Sequence, residues 1–229
     1  MIERVSVPRV SVIVPILNEG AALPALFCAL EGWRADIQLI VVDGGSTDNS
    51  LEIATGRADI TLSSPAGRAR QLNAGASAAS GEFLVFLHCD TRIEGRVDSL
   101  MRALDGMPQW GFCKTRLSGA NPALRVIERF MNWRAKLTHI ATGDQLLCFR
   151  RACFENAGGF AAIPLMEDVE ICKRVRRIAR PTLLPVTVTT SSRRWEHHGI
   201  ARTVLLMWSL RLAYWWGTDP QLLHRRYYR

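Results

Sequence analysis

Three apolar stretches of this chain run directly into polar residues that could perform chemistry. Residues 18–19 (Asn-Glu) follow "VSVIVPIL", Asp43 lies near the end of "IQLIVVDG", and residues 88–90 (His-Cys-Asp) close "EFLVFLHCD". Divalent cations prefer oxygen ligands and are commonly held by one or two carboxylates together with substrate phosphates. Asp90 is therefore a candidate metal ligand. His88 lies on the same side of an extended chain and is a candidate for binding the ion or the substrate, with a structural histidine as the alternative.

The apolar stretches predict strands at 10–17, 37–44, 59–64 and 82–90, separated by segments long enough for helices. Apolarity in three of them is continuous, which is typical of parallel strands covered by helices on both faces. Ligands of such sheets bind beyond the carboxyl ends of the strands. The sequence thus predicts an α/β fold, with a Rossmann-like, mostly parallel sheet flanked by helices and polar residues gathered at one edge.

The second half is less regular. It predicts a strand at 111–118, amphipathic helices at 122–137 and 167–179, a strand near 183–190, and a C-terminal helical segment from about Ile200. With 229 residues, 48% of them hydrophobic, the chain is long enough for one large core. No linker-like stretch divides it, so we expect a single domain.

Composition limits the function classes. The six cysteines form no CxxC pair, which favours a reduced, cytoplasmic protein over a disulfide scaffold. The N-terminus lacks the pattern of a signal peptide, and no apolar run approaches the roughly 20 residues of a spanning helix. The net charge of +8 favours an anionic partner, which the charge alone leaves open among nucleic acid, phosphate groups and a membrane face.

The acidic strand ends also have ordinary structural explanations. Asp43 and Asp48 suit Asx turns or helix caps, and for Asp48 the turn is the favoured interpretation. An acid in the position of Asp43 can also accept hydrogen bonds from a nucleotide. The GxGxxG fingerprint of dinucleotide-binding folds is absent after the first strand, which counts against a nicotinamide or flavin enzyme.

Five segments in order carry a family resemblance: "SVIVPILNE", "VVDGGSTDNS", "GRARQLNAGASAASGEFLVFLHCDT", "TGDQLLCFRRACFENAGGF" and "LMEDVEICKRVRR". Together they resemble the family 2 glycosyltransferases of GT-A fold, especially a small bacterial branch with a His-x-Asp motif. The resemblance implies a nucleoside-diphosphate sugar as donor, with UDP favoured, a divalent cation (Mn²⁺ or Mg²⁺), and inversion at the anomeric carbon.

The resemblance also implies roles for individual residues. Asp90 matches the metal-binding acid of the family's DxD motif, whose first acid is replaced here by His88, and Asp43 matches the acid that reads the base. The expected donor-binding residues are Pro15, Asn18, Glu19, Asp43, Arg68, Asn73, His88, Arg194 and Trp195.

Inverting transfer needs a base that takes the proton of the acceptor hydroxyl. Glu167 and Asp168 match the family's Glu-Asp pair, and Asp168 is the preferred base. The alternative is that both acids merely start a helix, where its dipole favours negative charge.

The segment "SSRRWEHHG" at 191–199 loosely resembles the QxxRW motif of processive family members, with Ser191 in place of glutamine. This departure favours transfer of one sugar over polymerisation. Arg194 and Trp195 are candidates for diphosphate and acceptor contact, with a solvated basic loop as the alternative.

The C-terminal stretch "TVLLMWSLRLAYWWGTDPQLLHRRYYR" combines tryptophans with arginines. Such a helix suits an anionic membrane interface, where a lipid-linked acceptor would be met. A packed helix with an oligomer-facing aromatic patch, and hence a homodimer, is the alternative. The expected organisation is a nucleotide-binding half at 1–93, an acceptor and catalytic half at 94–199, and an amphipathic helix with a basic tail at 200–229.

Three other functions stay open. A sugar nucleotidyltransferase should carry a Gly-rich, basic first turn, which "PILNEGAAL" does not show. A noncatalytic nucleic-acid-binding protein would explain the charge but would leave the acidic strand ends without a use, so no nucleic acid is expected. A noncatalytic family member would bind nucleotide without turnover.

Overall fold

The computed structural model describes residues 8–228, except the side chains of Arg194 and His198. One eight-stranded sheet has the order β3-β2-β1-β4-β7-β6-β8-β5. Its strands are β1 Val10–Ile16, β2 Ile37–Asp43, β3 Ile60–Ser63, β4 Phe83–Phe86, β5 Thr91–Glu94, β6 Trp110–Leu117, β7 Leu147–Arg150 and β8 Thr182–Thr190. The α-helices are α1 Leu23–Leu30, α2 Ser50–Ala54, α3 Arg68–Ala78, α4 Val97–Asp105, α5 Pro122–Thr138, α6 Arg151–Asn156, α7 Glu167–Val175, α8 Arg193–His198, α9 Ile200–Trp215 and α10 Pro220–Tyr227.

The first half of the sheet is parallel. β1 pairs with β2 and β4, and β2 pairs with β3, so the carboxyl ends of these strands lie at one edge. Helices cover both faces: α1 and α4 pack on one core, and α3, α6 and α7 pack on the other. The continuous apolarity of β1, β2 and β4 is explained because each strand is buried from both sides.

The second half completes a mixed sheet. β7 runs antiparallel to β4 and β6, β8 runs parallel to β6, and β5 returns antiparallel to β8 at the far edge. The predicted α/β class and the mostly parallel, helix-flanked sheet are confirmed.

Two predicted boundaries were wrong. The strand predicted at 82–90 ends at Phe86, because the Thr91 amide donates to the His88 carbonyl at 3.1 Å and closes a turn before β5. The helix predicted at 167–179 ends at Val175, where shorter-range hydrogen bonds tighten the chain. The His88–Asp90 motif, which was predicted to bind metal, therefore lies in a turn that follows a strand.

The C-terminal region also differs from its prediction. One helical segment was expected from Ile200, but α9 ends before Gly217, which has a φ of 88°, and α10 begins with Pro220. Asp219 caps α10 by accepting from the Gln221 amide at 2.8 Å. Residues 193–198 form α8 rather than the loop of the alternative interpretation, and Arg193 is exposed on it. Across the part of the chain that the structure describes, no helix is long and apolar enough to span a bilayer.

Candidate active site

The turns after β1 and β2 are joined to each other. Asn18 Oδ1 accepts from the Thr47 amide at 2.8 Å, and the Asn18 amide donates to Ser46 Oγ at 2.9 Å. The Glu19 amide donates to Ser50 Oγ at 2.7 Å. Asn18 has a φ of 56°, a region that asparagine tolerates better than most residues. Asn18 and Glu19 are therefore held in a defined position beside the turn that carries Asp43.

Asp43 and Asp48 both order these turns. Asp43 is 2% exposed and accepts from the Gly45 amide at 2.9 Å. Asp48 accepts from the amides of Ser50 and Gly20, each at 3.0 Å. The turn role favoured for Asp48 is confirmed, and Asp43 also forms an Asx turn. The Asp43 carboxylate also accepts from the amide and the hydroxyl of Ser46, so three donors of its own turn hold it in place.

Gln71 fixes the relative position of the two strand ends. Its Nε2 donates to the carbonyl of Ile16 at 2.8 Å and to that of Val42 at 2.9 Å. A Cβ at Gly44 would lie 3.0 Å from the Gln71 amide group, so glycine allows this close approach. The sequence interpretation missed Gln71 because a buried glutamine on a helix has no motif of its own.

His88 is held by a loop from the second half of the chain. Its Nδ1 lies 3.5 Å from Asp144 Oδ1, and a Cβ at Gly143 would stand 2.4 Å from its Nε2. Only a glycine therefore allows the loop to pack so closely on the imidazole. The intervening Cys89 is buried in the core, and burial raises its pKa to about 12. Cys89 thus remains a neutral thiol at physiological pH and is unsuited to metal binding.

Asp144 is a site residue that the sequence interpretation missed. Burial opposes its ionisation, but the hydrogen bond and charge of His88, together with the charge of Arg68, outweigh this effect and lower its pKa. Asp144 therefore stays ionised beside His88. Its segment, "TGDQ", contributes to the family resemblance, yet a single aspartate gave no signal of its partner before the fold was known.

Glu167 and Arg68 form an ion pair at the starts of α7 and α3. Arg68 Nη1 lies 3.5 Å from Glu167 Oε1, and the Glu167 side chain is only 4% exposed. Burial and the adjacent charge of Asp168 raise the pKa of Glu167, while Arg68 and His88 partly oppose this increase. Glu167 is thus enclosed and has limited access to an acceptor.

Asp168 is more accessible than Glu167. Its Oδ2 accepts from the Gly143 amide at 2.8 Å, while Oδ1 accepts from the Val169 amide at 2.7 Å. The same loop that packs on His88 therefore also orients Asp168. Met166, immediately before α7, has a φ of 71°, which is uncommon for a non-glycine residue and indicates that tertiary contacts fix the start of this helix.

Two half-buried arginines interact electrostatically with Asp168 and were missed by the sequence interpretation. Burial and the nearby charge of Arg211 lower the pKa of Arg134 to about 10, and Asp168 opposes this effect. Burial also lowers the pKa of Arg211, and the negative charges of Asp168 and Asp144 oppose this effect. Arg134 lies on α5 and Arg211 on α9, so only the tertiary fold brings them together.

Glu19 and Asp90 form the acidic edge of the site. Burial raises the pKa of Glu19, the charge of Asp90 adds to this increase, and Arg193 and His88 oppose it. Asp90 is exposed. Among the described side chains, no group of three His, Cys, Asp or Glu residues is placed to hold an ion alone. Asp90 fits a site that waters and a phosphate-bearing substrate complete.

The other predicted donor residues are less centrally placed. Asn73 Nδ2 donates to the Phe160 carbonyl at 2.8 Å, and its Oδ1 accepts from the Phe160 amide at 2.9 Å. Both ends of its amide thus hold a neighbouring loop, and its donor contact stays a prediction. Pro15 lies in β1, and Trp195 is half-buried in α8. The predicted contact of Arg194 lies outside the described side chains.

The sequence of this site has known relatives. The family model described as "Glycosyl transferase family 2" matches residues 11–118, which include the strand ends and the His88–Asp90 turn. Residues 11–118, just under half of the chain, are thus similar to glycosyl transferase family 2. This similarity argues against the nucleotidyltransferase and nucleic-acid-binding alternatives.

Two curated relatives illustrate the range of proteins that this chain resembles. It is 35% identical over 103 residues to a PGL/p-HBAD biosynthesis glycosyltransferase of Mycobacterium tuberculosis, covering 42% of this chain and 40% of the relative. It is 31% identical over 96 residues to an undecaprenyl-phosphate 4-deoxy-4-formamido-L-arabinose transferase of Yersinia pestis, covering 37% of this chain and 29% of the relative. The chain thus matches less than half the length of either relative.

Solved structures confirm the GT-A fold of this chain. The mannosyltransferase PcManGT from Pyrobaculum calidifontis, in complex with GDP-Man and Mn²⁺, has a TM-score of 0.63 at 23% identity over 80% of this chain and 56% of that one. S. aureus TarS 1-349, in complex with UDP-GlcNAc, has a TM-score of 0.62 at 19% identity over 80% of this chain and 58% of that one.

Proposed function

We propose that this chain is a metal-dependent, inverting glycosyltransferase that moves one sugar from a nucleoside-diphosphate sugar to an acceptor hydroxyl. The observation that carries the proposal is the 143–144 loop, which contacts both His88 and Asp168. It connects the predicted donor and metal turn with the predicted base. The alternative, a noncatalytic family member, would bind nucleotide without turnover.

The donor nucleotide is assigned to the joined turns after β1 and β2. Asp43 is the proposed reader of the base, and Asn18 and Glu19 border the same site. UDP is the favoured nucleotide. In support of a nucleotide-sugar donor, PcManGT was solved with GDP-Man and TarS with UDP-GlcNAc.

A Mn²⁺ or Mg²⁺ ion is assigned to Asp90 together with the donor diphosphate. Such an ion, when bound, neutralises part of the charge that develops on the departing diphosphate. His88 is held beside this turn by Asp144 and contacts the ion or the donor. PcManGT, which shares the fold, was solved with Mn²⁺.

The chemical step is assigned to Asp168. The acceptor oxygen attacks the anomeric carbon from the face opposite the diphosphate, while its proton passes to the Asp168 carboxylate. The bond between the anomeric carbon and the diphosphate breaks, and its electron pair leaves with the nucleoside diphosphate. Glu167 is a weaker candidate for the base because it is enclosed and paired with Arg68. Arg194 and Trp195 remain the proposed diphosphate and acceptor contacts on α8.

We also infer that the protein acts in the cytoplasm, peripherally on an anionic membrane. Four exposed apolar side chains on α5 are spaced three or four residues apart, and so are four on α9, so each set lies on one face of its helix. Phe130 of α5 contacts Trp208 of α9, with ring centroids 5.4 Å apart. We call this the α5–α9 face: Val126, Phe130, Trp133, Leu137, Leu205, Trp208, Leu212 and Trp215. Exposed basic residues on α5, Arg129 and Lys136, complement anionic lipid.

Donor binding tests the proposed function directly. We would measure thermal shifts with UDP, GDP, CMP and dTDP sugars, each with and without Mn²⁺ or Mg²⁺. A ligand at 100 times its Kd adds about 2.7 kcal/mol to apparent stability. We expect one nucleotide to raise the Tm only when the cation is present. The absence of a shift with every nucleotide would contradict the proposal.

A further inference from the structure

A cavity of about 930 Å³ lies among α8, α9 and α10, and the strand-end chemistry above does not use it. Its lining includes Arg193, Arg202 and Arg226, together with Leu205, Leu206 and Tyr228. None of the described residues that line it is acidic. Concentrated positive charge beside apolar and aromatic surface suits a ligand with an anionic group and a less polar body.

The cavity borders the site on two sides. Arg193 contributes to its lining and lies close enough to Glu19 for the two charges to interact. Tyr228 also lines it and interacts with Arg68, whose guanidinium is 3.5 Å from Glu167. Residues of the cavity lining thus lie near the acidic edge of the site and near the Arg68–Glu167 pair.

The proposed donor site does not include Arg202 or Arg226. Both are exposed residues of the C-terminal helices, and neither forms an ion pair with a carboxylate among the described residues. Arginine presents a planar fork of donors that matches phosphate oxygens. Arg193 is different, because its charge acts on Glu19 and the donor diphosphate could also reach it.

We propose that the cavity among α8, α9 and α10 binds a phosphate group carried by the acceptor, with Arg202 and Arg226 as its ligands. The proposal rests on the proposed function, because it identifies the acceptor class of the same reaction. Leu205, Leu206 and Tyr228 contact the part of the acceptor next to the phosphate. That part is either a sugar or an isoprenoid chain, and both present the same phosphate chemistry.

Calorimetry on the full chain tests this assignment. The donor site is first saturated with Mn²⁺ and the nucleoside diphosphate that gives the largest thermal shift, so that added phosphate cannot bind there. The probes are farnesyl phosphate, farnesol, glucose 1-phosphate and inorganic phosphate. We expect a phosphate-bearing probe to bind, and Arg202→Ala or Arg226→Ala to weaken it about tenfold or more.

Matched variants separate this role from general charge or folding effects. Arg102→Ala removes an exposed arginine on α4, which contributes nothing to the cavity lining, and should leave probe binding unchanged. Arg226→Lys keeps the charge and should restore part of the affinity. All variants should keep the wild-type thermal shift with nucleotide, since Arg202 and Arg226 are assigned to the acceptor alone.

The outcomes are distinct. Tighter binding of farnesyl phosphate than of glucose 1-phosphate identifies a lipid source, and the reverse identifies a soluble sugar phosphate. Binding of no probe, farnesol binding as tight as that of farnesyl phosphate, or unchanged affinity in both alanine variants would overturn the proposal. If nucleotide binding persists in that case, only the acceptor assignment fails. If the wild-type protein bound no nucleotide at all, the proposed function itself would be rejected.

Discussion

The Gly143 amide nitrogen lies 2.8 Å from Asp168 Oδ2. A Cβ at the same glycine would stand 2.4 Å from His88 Nε2. One residue of a short loop therefore sets the distance between the turn assigned to the donor and the carboxylate assigned to the proton. The proposed mechanism depends on this spacing, because the base must reach the acceptor hydroxyl while the donor is held in place.

The spacing can be tested with Gly143→Ala. The added methyl group would displace His88 or the loop, and we expect a loss of about 1–3 kcal/mol in the free energy of unfolding together with reduced turnover. Gly32→Ala is the control, because a Cβ there meets nothing within 4 Å. Chemical denaturation and nucleoside diphosphate release would be measured for both. Wild-type turnover in Gly143→Ala would show that the loop does not set the geometry.

Asp90→Ala should abolish the cation dependence of nucleotide binding while the fold is kept, because Asp90 is exposed and contributes little packing. Calorimetric titrations with and without Mn²⁺ would measure this effect. Asp36→Ala, which removes another exposed aspartate, should behave like the wild type. Unchanged Mn²⁺-dependent affinity in Asp90→Ala would remove this residue from the metal site.

Asp144 should contribute to the pH dependence of stability. Its pKa is held below the ordinary value of 3.8, since the contacts with His88 and Arg68 outweigh burial. A carboxyl with a lowered pKa in the folded state stabilises the protein above its unfolded pKa, and this contribution is lost as the pH falls through the folded value. Asp144→Asn should therefore flatten the stability profile below about pH 4. The free energy of unfolding would be measured by denaturation across this pH range for the wild type and for Asp144→Asn. The same pH dependence in both proteins would contradict the lowered pKa of Asp144.

The sequence predicted the first half of the sheet better than the surroundings of Asp168. Continuous apolar strands and the polar residues after them are local signals, and the parallel pairing of β1, β2 and β4 followed from them. The partners of Asp168 could not be predicted in the same way. Arg134, Arg211 and Gly143 come from separate elements, and only long-range packing places them together. The turn at His88 was missed because apolar Leu87 extends the strand pattern beyond its last ladder pair.

The α5–α9 face should bind anionic vesicles. Co-sedimentation should rise with phosphatidylglycerol content and fall with added salt, because screening weakens attraction between exposed charges. Trp133→Ser and Trp208→Ser should reduce pelleting, whereas Leu51→Ser, which changes an exposed apolar residue on α2, should not. Equal pelleting with neutral and anionic vesicles would reject the membrane assignment. A concentration-dependent dimer that both tryptophan variants abolish, without vesicle binding, would assign the face to a second copy of the chain.

The role of Asp168 as the base tests the account most directly. Asp168→Asn keeps the shape and one hydrogen-bond acceptor but cannot take up a proton, so we expect donor affinity to persist while turnover falls about 10²- to 10⁴-fold. Glu167→Gln is the matched variant and should be milder, because Glu167 is enclosed and paired with Arg68.

The decisive measurement is nucleoside diphosphate release by both variants, with donor and acceptor saturating, beside calorimetric donor binding. The account predicts collapsed turnover with retained donor affinity in Asp168→Asn, and a smaller loss in Glu167→Gln. Near-normal turnover in Asp168→Asn with a collapsed rate in Glu167→Gln would move the base to Glu167. Near-normal turnover in both would contradict the proposed chemistry.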